Sequence, residues 1–326
     1  MDDTRAILEN AVNGLFTDAV TPKLLHEAEA GAFATSLWEA IVAQGLLDIF
    51  GALDEPFIVV GAIIRASGLN ALPLPLPETL IAHAVLPAAM RARLGNAPVA
   101  LAETVTRDGE NWLFHRAAFG RHAPFVVGIE GDKIALAENP VVKERGEAIA
   151  RDPRDVLAAT RVERMDPVHD PDALAAMMRA SQLAGAIARV LELSVRYAAE
   201  RVQFGKPIGS FQAIQQQLAA LAGESAAATR AADAAWEEAA RNGDIRIAAA
   251  IAKSRAGEAA GKAASIAHQV HGAIGFTAEH VLHHYTRRLW TWRSEWGNES
   301  RWNAELGRRV LALGADGFWN AVATPG

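Results

Sequence analysis

From Asp172 to Leu313 apolar residues recur at helical spacing almost without a break, and this run constrains the fold more than any other feature of the chain. Leu174, Met177, Met178, Leu183, Ile187, Val190, Leu191 and Val195 form one stripe that runs up to Arg201, with Gly205 and Pro207 as stop signals. A second long helix is expected from near Ser210 to Asn242-Gly243. A third is expected from Asp244 to His271, where Gly272-Ala-Ile-Gly275 breaks it, and shorter helices follow. Long helices joined by short turns pack antiparallel, so an up-down bundle is predicted. The 69 alanines among 326 residues agree with this, because Ala favours helix and its small side chain lets helices approach closely.

The rest of the chain divides by texture. Before residue 97 it reads as helices separated by turns. Thr35-Ser36 opens one, Pro56 to Ala66 forms another, and Glu78 to Met90 a third. The alternate prolines of Pro73-Leu74-Pro75-Leu76-Pro77 cannot be helical and are expected to form a rigid linker. Between 97 and 166, Val99–Ala102, Asn111–Phe119 and Phe125–Ala137 are strand-like, with a hairpin turn at Gly131-Asp132. Val142 to Asp155 is charged and non-periodic and reads as loop. The expected fold class is mainly α with a small β domain (α+β). An N-terminal helical domain spans 1–96, a reduced β domain of four to six strands 97–166, and a C-terminal four-helix-bundle domain 167–326.

Several function classes are disfavoured by composition. Disorder does not fit 51% hydrophobic residues and a formal charge of −6. With no cysteine, disulfides, thiolate metal sites and a cysteine nucleophile are excluded. The acidic start, MDDTRAILEN, lacks the basic and apolar regions of a signal peptide. No charge-free apolar run approaches the roughly 20 residues that span a bilayer. A cytoplasmic protein with no membrane partner is expected. Arg201-Val-Gln-Phe-Gly205-Lys206 lacks the spacing of a phosphate loop, Gly272-Ala-Ile-Gly275 lacks that of a dinucleotide fingerprint, and no G-x-S-x-G elbow is present. His280, His283 and His284 cluster with Glu279 but without H-E-x-x-H or a second carboxylate motif, so they read as surface or interface histidines and no metal is expected. Arg287, Arg288 and Arg293 lie near Trp290, Trp292 and Trp296, but one such cluster in a chain of pI 5.9 does not indicate nucleic acid.

Two segments stand above this background: Arg201-Val-Gln-Phe-Gly-Lys-Pro-Ile-Gly-Ser-Phe-Gln212 and Gln269-Val-His-Gly-Ala-Ile-Gly-Phe276. Together they resemble the R-x-x-F-G and Q-x-x-G-x-x-G-F motifs of the acyl-CoA dehydrogenase C-terminal domain, in the same order and on the same kind of bundle. The N-terminal helices through Pro77-Glu78-Thr79 and the middle segment around Phe119-Gly120-Arg121-His122-Ala123 resemble the family's other two domains. The resemblance implies that Arg201 and Gln269 reach across a subunit interface to the pyrophosphate and adenosine end of a neighbour's FAD. It implies that Phe204 and Phe211 line the adenine and that Gln203, Gln212 and Gln269 donate hydrogen bonds. Gly272 and Gly275 would let the backbone approach. A guanidinium suits the first role because it stays charged and grips phosphate oxygens with two parallel bonds. A purely structural reading is also open, with Arg201 a cation favoured at a helix C-terminus and Gly205 its stop signal.

The chain departs from the family where chemistry is done. The family's reaction needs a carboxylate base in an apolar pocket. Its usual loop position corresponds to Trp296, in Glu295-Trp296-Gly297-Asn298, and its alternative position to Ala175. Glu295 is the remaining candidate base, with a solvated partnership to Arg293 as the competing reading. The family's T-E-P-G-x-G-S-D and W-I-T-N stretches, which contact flavin and acyl-CoA, are not reproduced in Leu101–Asp108 or in Trp112-Leu-Phe-His115. Keeping the half-site that reaches a neighbour's FAD while lacking the other half resembles the smaller, non-catalytic subunit of heteromeric α2β2 bacterial acyl-CoA dehydrogenases of steroid side-chain breakdown. That resemblance implies a paralogous catalytic partner, FAD as cofactor and an acyl-CoA substrate. The alternatives are a self-sufficient homo-oligomeric dehydrogenase using Glu295, or a helical scaffold that has lost flavin.

Overall fold

The computed structural model describes residues 2–323. Helices α1 (Asp2–Ala19), α2 (Pro22–Glu29), α3 (Thr35–Ala43), α4 (Ile49–Ala52), α5 (Pro56–Leu69), α6 (Leu76–Val85) and α7 (Ala88–Leu94) come first. Eight strands follow: β1 (Val99–Ala102), β2 (Thr104–Asp108), β3 (Asn111–Ala118), β4 (Phe125–Glu130), β5 (Lys133–Glu138), β6 (Val141–Glu144), β7 (Arg154–Ala159) and β8 (Glu163–Met165). Then come α8 (Pro171–Glu200), a short hairpin of β9 (Val202–Gln203) and β10 (Lys206–Pro207), α9 (Gln212–Ala240), α10 (Ile245–His271), α11 (Leu282–Ser294) and α12 (Glu299–Ala323). The fold class is the expected one.

The long helices start where their caps put them. Asp170 accepts hydrogen bonds from the backbone of Asp172 and Ala173 at the head of α8, and Asp244 does the same for Arg246 and Ile247 at the head of α10. α10 stops at Gly272, whose φ of 62° suits a residue without a Cβ. Residues 173–187 of α8 are buried on every side, because α5, α9, α10 and α11 surround that helix. α10 turns Ala249, Ala252, Ala256, Ala259, Ala260 and Ala263 inward, so the alanine excess sits at close helix contacts. The tightest approach joins α5 to α8. A Cβ added to Gly185 would lie 2.1 Å from the Arg65 carbonyl oxygen, and one on Gly68 would lie 2.2 Å from that of Gln182.

The β segment is larger than expected. It holds two four-stranded sheets, in the orders β1-β4-β5-β8 and β2-β3-β7-β6. Only β1 and β4 pair in parallel among the named strands; the other pairs are antiparallel. Alternation along the strands assigns the faces. Val99, Leu101, Phe125, Val127, Ile134 and Leu136 join the helical core, whereas Ala100, Ala102, Val126, Ala135 and Ala137 meet Val105, Phe114 and Leu157 of the second sheet. The first sheet is therefore buried on both faces, between the helices and the second sheet.

Two sequence expectations are corrected. Val142–Asp155 is not all loop: β6 and the start of β7 lie in it, held by antiparallel pairing to each other and to β3, which supplies backbone partners that local periodicity does not reveal. The proline run is not a linker. Ala71 to Pro77 is buried, and Pro77 occupies the first turn of α6, where a missing N–H leaves no hydrogen bond unmade.

The α5–α8 contact is testable by urea unfolding. Gly185→Ala meets backbone atoms that cannot rotate away, and a loss of about 2–3 kcal/mol is expected. Gly223→Ala, in an exposed turn of α9 with nothing within 4 Å, should stabilise the chain by about 0.5–1 kcal/mol.

Candidate functional site

Two places concentrate the polar residues that sequence reasoning singled out, and one of them is on the surface. Arg201 caps the C-terminus of α8, its backbone N–H donating to the Tyr197 carbonyl at 2.9 Å, and the chain then turns through the β9–β10 hairpin. Phe204 and Gly205 form the hairpin tip at positive φ, 51° and 78°. Phe204 is 91% exposed. Its ring meets Phe211 edge-on at 6.1 Å, and the Lys206 ammonium lies 4.5 Å from the Phe211 ring centre. Gln203 and Gln212 are exposed, as is Arg201, whose guanidinium pairs with no carboxylate among the described residues.

The second motif lies alongside the first. Tyr197, one turn before Arg201, stacks on His271 with ring centres 4.6 Å apart, which ties the ends of α8 and α10 together. Gln269 and Gly272 are exposed there, Gly275 is buried against His271 and Leu282, and Phe276 is exposed and stacks on His268 at 4.2 Å. Nearly all of the cofactor candidates are thus exposed at one end of the bundle. An unpaired guanidinium, amide side chains and open aromatic rings fit half of a dinucleotide site presented outward.

The other place is buried. Glu295 ends α11 and is 1% exposed. Arg154, at the start of β7, donates to Glu295 Oε1 from Nε at 2.7 Å and to Oε2 at 3.3 Å. Arg179, on α8, donates to Oε2 from Nε at 2.8 Å. Its other nitrogens reach Gln182 and, at 2.8 Å, Glu78 on α6. Arg116 sits at a bulge in β3 with φ of 53°, and its guanidinium comes within 3.7 Å of the same carboxylate. Burial alone would raise the Glu295 pKa, but Arg154 and Arg179 outweigh it and hold the group at about 2. Nearby, burial lowers Lys253 to about 7, and its ammonium donates to the carbonyls of Arg293 and Gly297 at 2.7 Å each.

α11 is also fastened to the segment before β7 along one face. Arg288 pairs with Asp152 at 3.0 Å, Thr291 accepts from the Ala150 backbone at 3.0 Å, and Glu295 holds Arg154. Arg293 instead pairs with Glu299 at 2.6 Å, so Glu295 is neither solvated nor its partner. Arg287 pairs with Glu29, Trp292 and Trp296 are buried, and Trp290 is exposed with the Arg293 guanidinium 5.6 Å from its ring centre. Trp296 and Ala175, which the sequence resemblance sets at the family's two base positions, both lie in the hydrophobic core.

A carboxylate with so low a pKa is a weak proton acceptor. Sequence reasoning missed Arg154, Arg179 and Glu78. The available signal was Arg179 itself, a charge inside the apolar stripe of α8.

Comparison with known proteins places this architecture. Residues 173–301 match the family described as acyl-CoA dehydrogenase, C-terminal domain. In this C-terminal bundle the chain is similar to the acyl-CoA dehydrogenase family. The acyl-CoA dehydrogenase IpdE2 of Mycobacterium tuberculosis is 42% identical over 142 residues, covering 42% of this chain and 42% of that protein, so the match spans less than half of that relative. The IpdE2 of Mycolicibacterium smegmatis is 26% identical over 306 residues, 88% of this chain and 93% of that one. Among solved structures, the Tcur3481-Tcur3483 steroid ACAD variant shares the fold with a TM-score of 0.83 at 21% identity, over 95% of this chain and 98% of that one.

Replacing Glu295 tests its role as a buried counter-ion. Glu295→Gln leaves Arg154 without its carboxylate and Arg179 with Glu78 alone, and should cost about 3–5 kcal/mol at neutral pH. Because the folded pKa is depressed from 4.5 to about 2, the carboxylate's contribution is full above about 4.5 and is lost as pH falls toward 2. The gap between wild type and Glu295→Gln in urea unfolding should therefore close over that window.

Proposed function

We propose that this chain is a subunit of an FAD-dependent acyl-CoA dehydrogenase that completes the FAD site of a paralogous catalytic partner and supplies no catalytic base. The observation that carries this reading is the clamp on Glu295. The chain's candidate base is ionised, fully hydrogen-bonded to two guanidiniums and part of the packing between β7, α6, α8 and α11. The self-sufficient alternative needs that carboxylate free to take a proton from the carbon next to the thioester, whereas Arg154 and Arg179 outweigh the burial that would favour its protonated form.

The outward half-site supports the other part of the proposal. When bound, FAD would supply acceptance of the hydride that leaves the β carbon of the thioester. This chain's residues would bind and orient its dinucleotide end: Arg201 the pyrophosphate oxygens, Phe204 and Phe211 the adenine face, Gln203, Gln212 and Gln269 the polar edges. Gly272 and Gly275 would let the backbone come close. A scaffold without flavin would have no need for an unpaired arginine beside open aromatic rings. The substrate class proposed is a CoA thioester of steroid-derived acyl type, in keeping with the steroid ACAD of like fold that is named for two chains. The assembly proposed is an α2β2 heterotetramer in the cytoplasm. Among the described residues no helix is long and apolar enough to cross a membrane.

The test is co-expression with a longer acyl-CoA dehydrogenase-like paralogue, followed by measurement of flavin per purified complex. Arg201→Ala removes charge-assisted bonds of about 1.5–3 kcal/mol and should lower FAD affinity roughly tenfold or more without changing the melting temperature of this chain. Equal flavin affinity in the Arg201→Ala complex would remove the half-site reading.

A further inference from the structure

The histidines after the second motif find a carboxylate partner that the sequence does not bring near them. Glu29, the last residue of α2, packs against the first turn of α11. Its Oε1 lies 2.7 Å from His284 Nδ1 and accepts from Arg287 at 2.6 Å. His283 joins them: its ring centre is 3.9 Å from that of His284, and its Nδ1 lies 2.7 Å from the His280 carbonyl oxygen.

We propose that Glu29, His283 and His284 form a binding site for a borderline divalent cation of the Zn²⁺ type, with water completing the coordination. One ligand atom from each residue lies within 4.8 Å of the others. Donors around a tetrahedral ion with bonds of about 2.0–2.1 Å stand roughly 3.3 Å apart, so small side-chain rotations close the site. Both hydrogen bonds given to Glu29 fall on Oε1, leaving Oε2 to face a cation. The His280 carbonyl takes the Nδ1 proton of His283, which leaves the lone pair on Nε2; carbonyl-oriented imidazoles of this kind are usual around zinc. The side chains of Glu29 and His284 are 7% and 6% exposed, so an ion there is shielded on one side, while the half-buried His283 leaves a way in.

The competing description is a plain ion cluster in which Glu29 ties α2 to α11 through His284 and Arg287. The two differ over Arg287. In a plain cluster it is the principal partner of Glu29; around a cation it is a like charge that competes for the carboxylate.

Metal-stripped, full-length chain is titrated with Zn²⁺ against a chromophoric chelator, and with Co²⁺ for its ligand-field spectrum. One Zn²⁺ per chain and a four-coordinate Co²⁺ spectrum are expected. His283→Ala and Glu29→Gln should each weaken Zn²⁺ binding more than tenfold, Arg287→Ala should keep or tighten it, and His26→Ala, exposed on the same helix α2, should leave it unchanged. Circular dichroism establishes that each variant is folded. Uptake well below one ion per chain, uptake indifferent to His283→Ala and Glu29→Gln, or loss on Arg287→Ala would overturn the proposal.

Discussion

A carboxylate taken out of water costs several kcal/mol unless charge and hydrogen bonds replace what water supplied. At Glu295 they do. Arg154 comes from the middle sheets, Arg179 from the central bundle helix, and Arg179 continues to Glu78 on a helix that precedes the strands. One negative charge thus requires three separate parts of the chain to meet in a single register. Lys253 holds the turn that follows, through the carbonyls of Arg293 and Gly297.

The surroundings make that junction possible. Alanines on α10 and glycines at the α5–α8 crossing bring the helices close enough to exclude water from it. The first sheet lies between the helical core and the second sheet, and Arg154 stands at the start of β7, a strand of the second sheet. The same bundle then leaves its other end open. There Arg201 and Phe204 sit on a hairpin whose tip has positive backbone angles, beside the turn that follows α10. A closed centre and an exposed, chemically specific end are what a subunit that completes another chain's cofactor site would have.

Much of this was legible in the residues. The helix boundaries at Asp244 and Gly272 and the β4–β5 hairpin at Gly131-Asp132 were readable, while the head of α8 was read at Asp172, two residues past its Asp170 cap. Strands β6 and β7 were not legible, because their order comes from partners distant in sequence and their charged residues hide the alternation. The proline run misled because prolines in a helix's first turn and in a buried extended segment look the same as a linker in one dimension. The surface motifs could be read because glycine, arginine and aromatic residues keep their spacing there. The clamp could not, since Arg154 and Glu295 lie 141 positions apart and Glu295 stood out only by its nearness to the expected base. The same holds for Glu29 and His284, 255 positions apart.

The central claim is that this chain holds no complete flavin site of its own, and it is tested most directly by titrating FAD into the purified chain alone while following flavin fluorescence. The account predicts no saturable binding at micromolar FAD and no acyl-CoA-dependent bleaching. One tightly bound FAD per chain that is reduced by an acyl-CoA, with no second kind of subunit present, would contradict it.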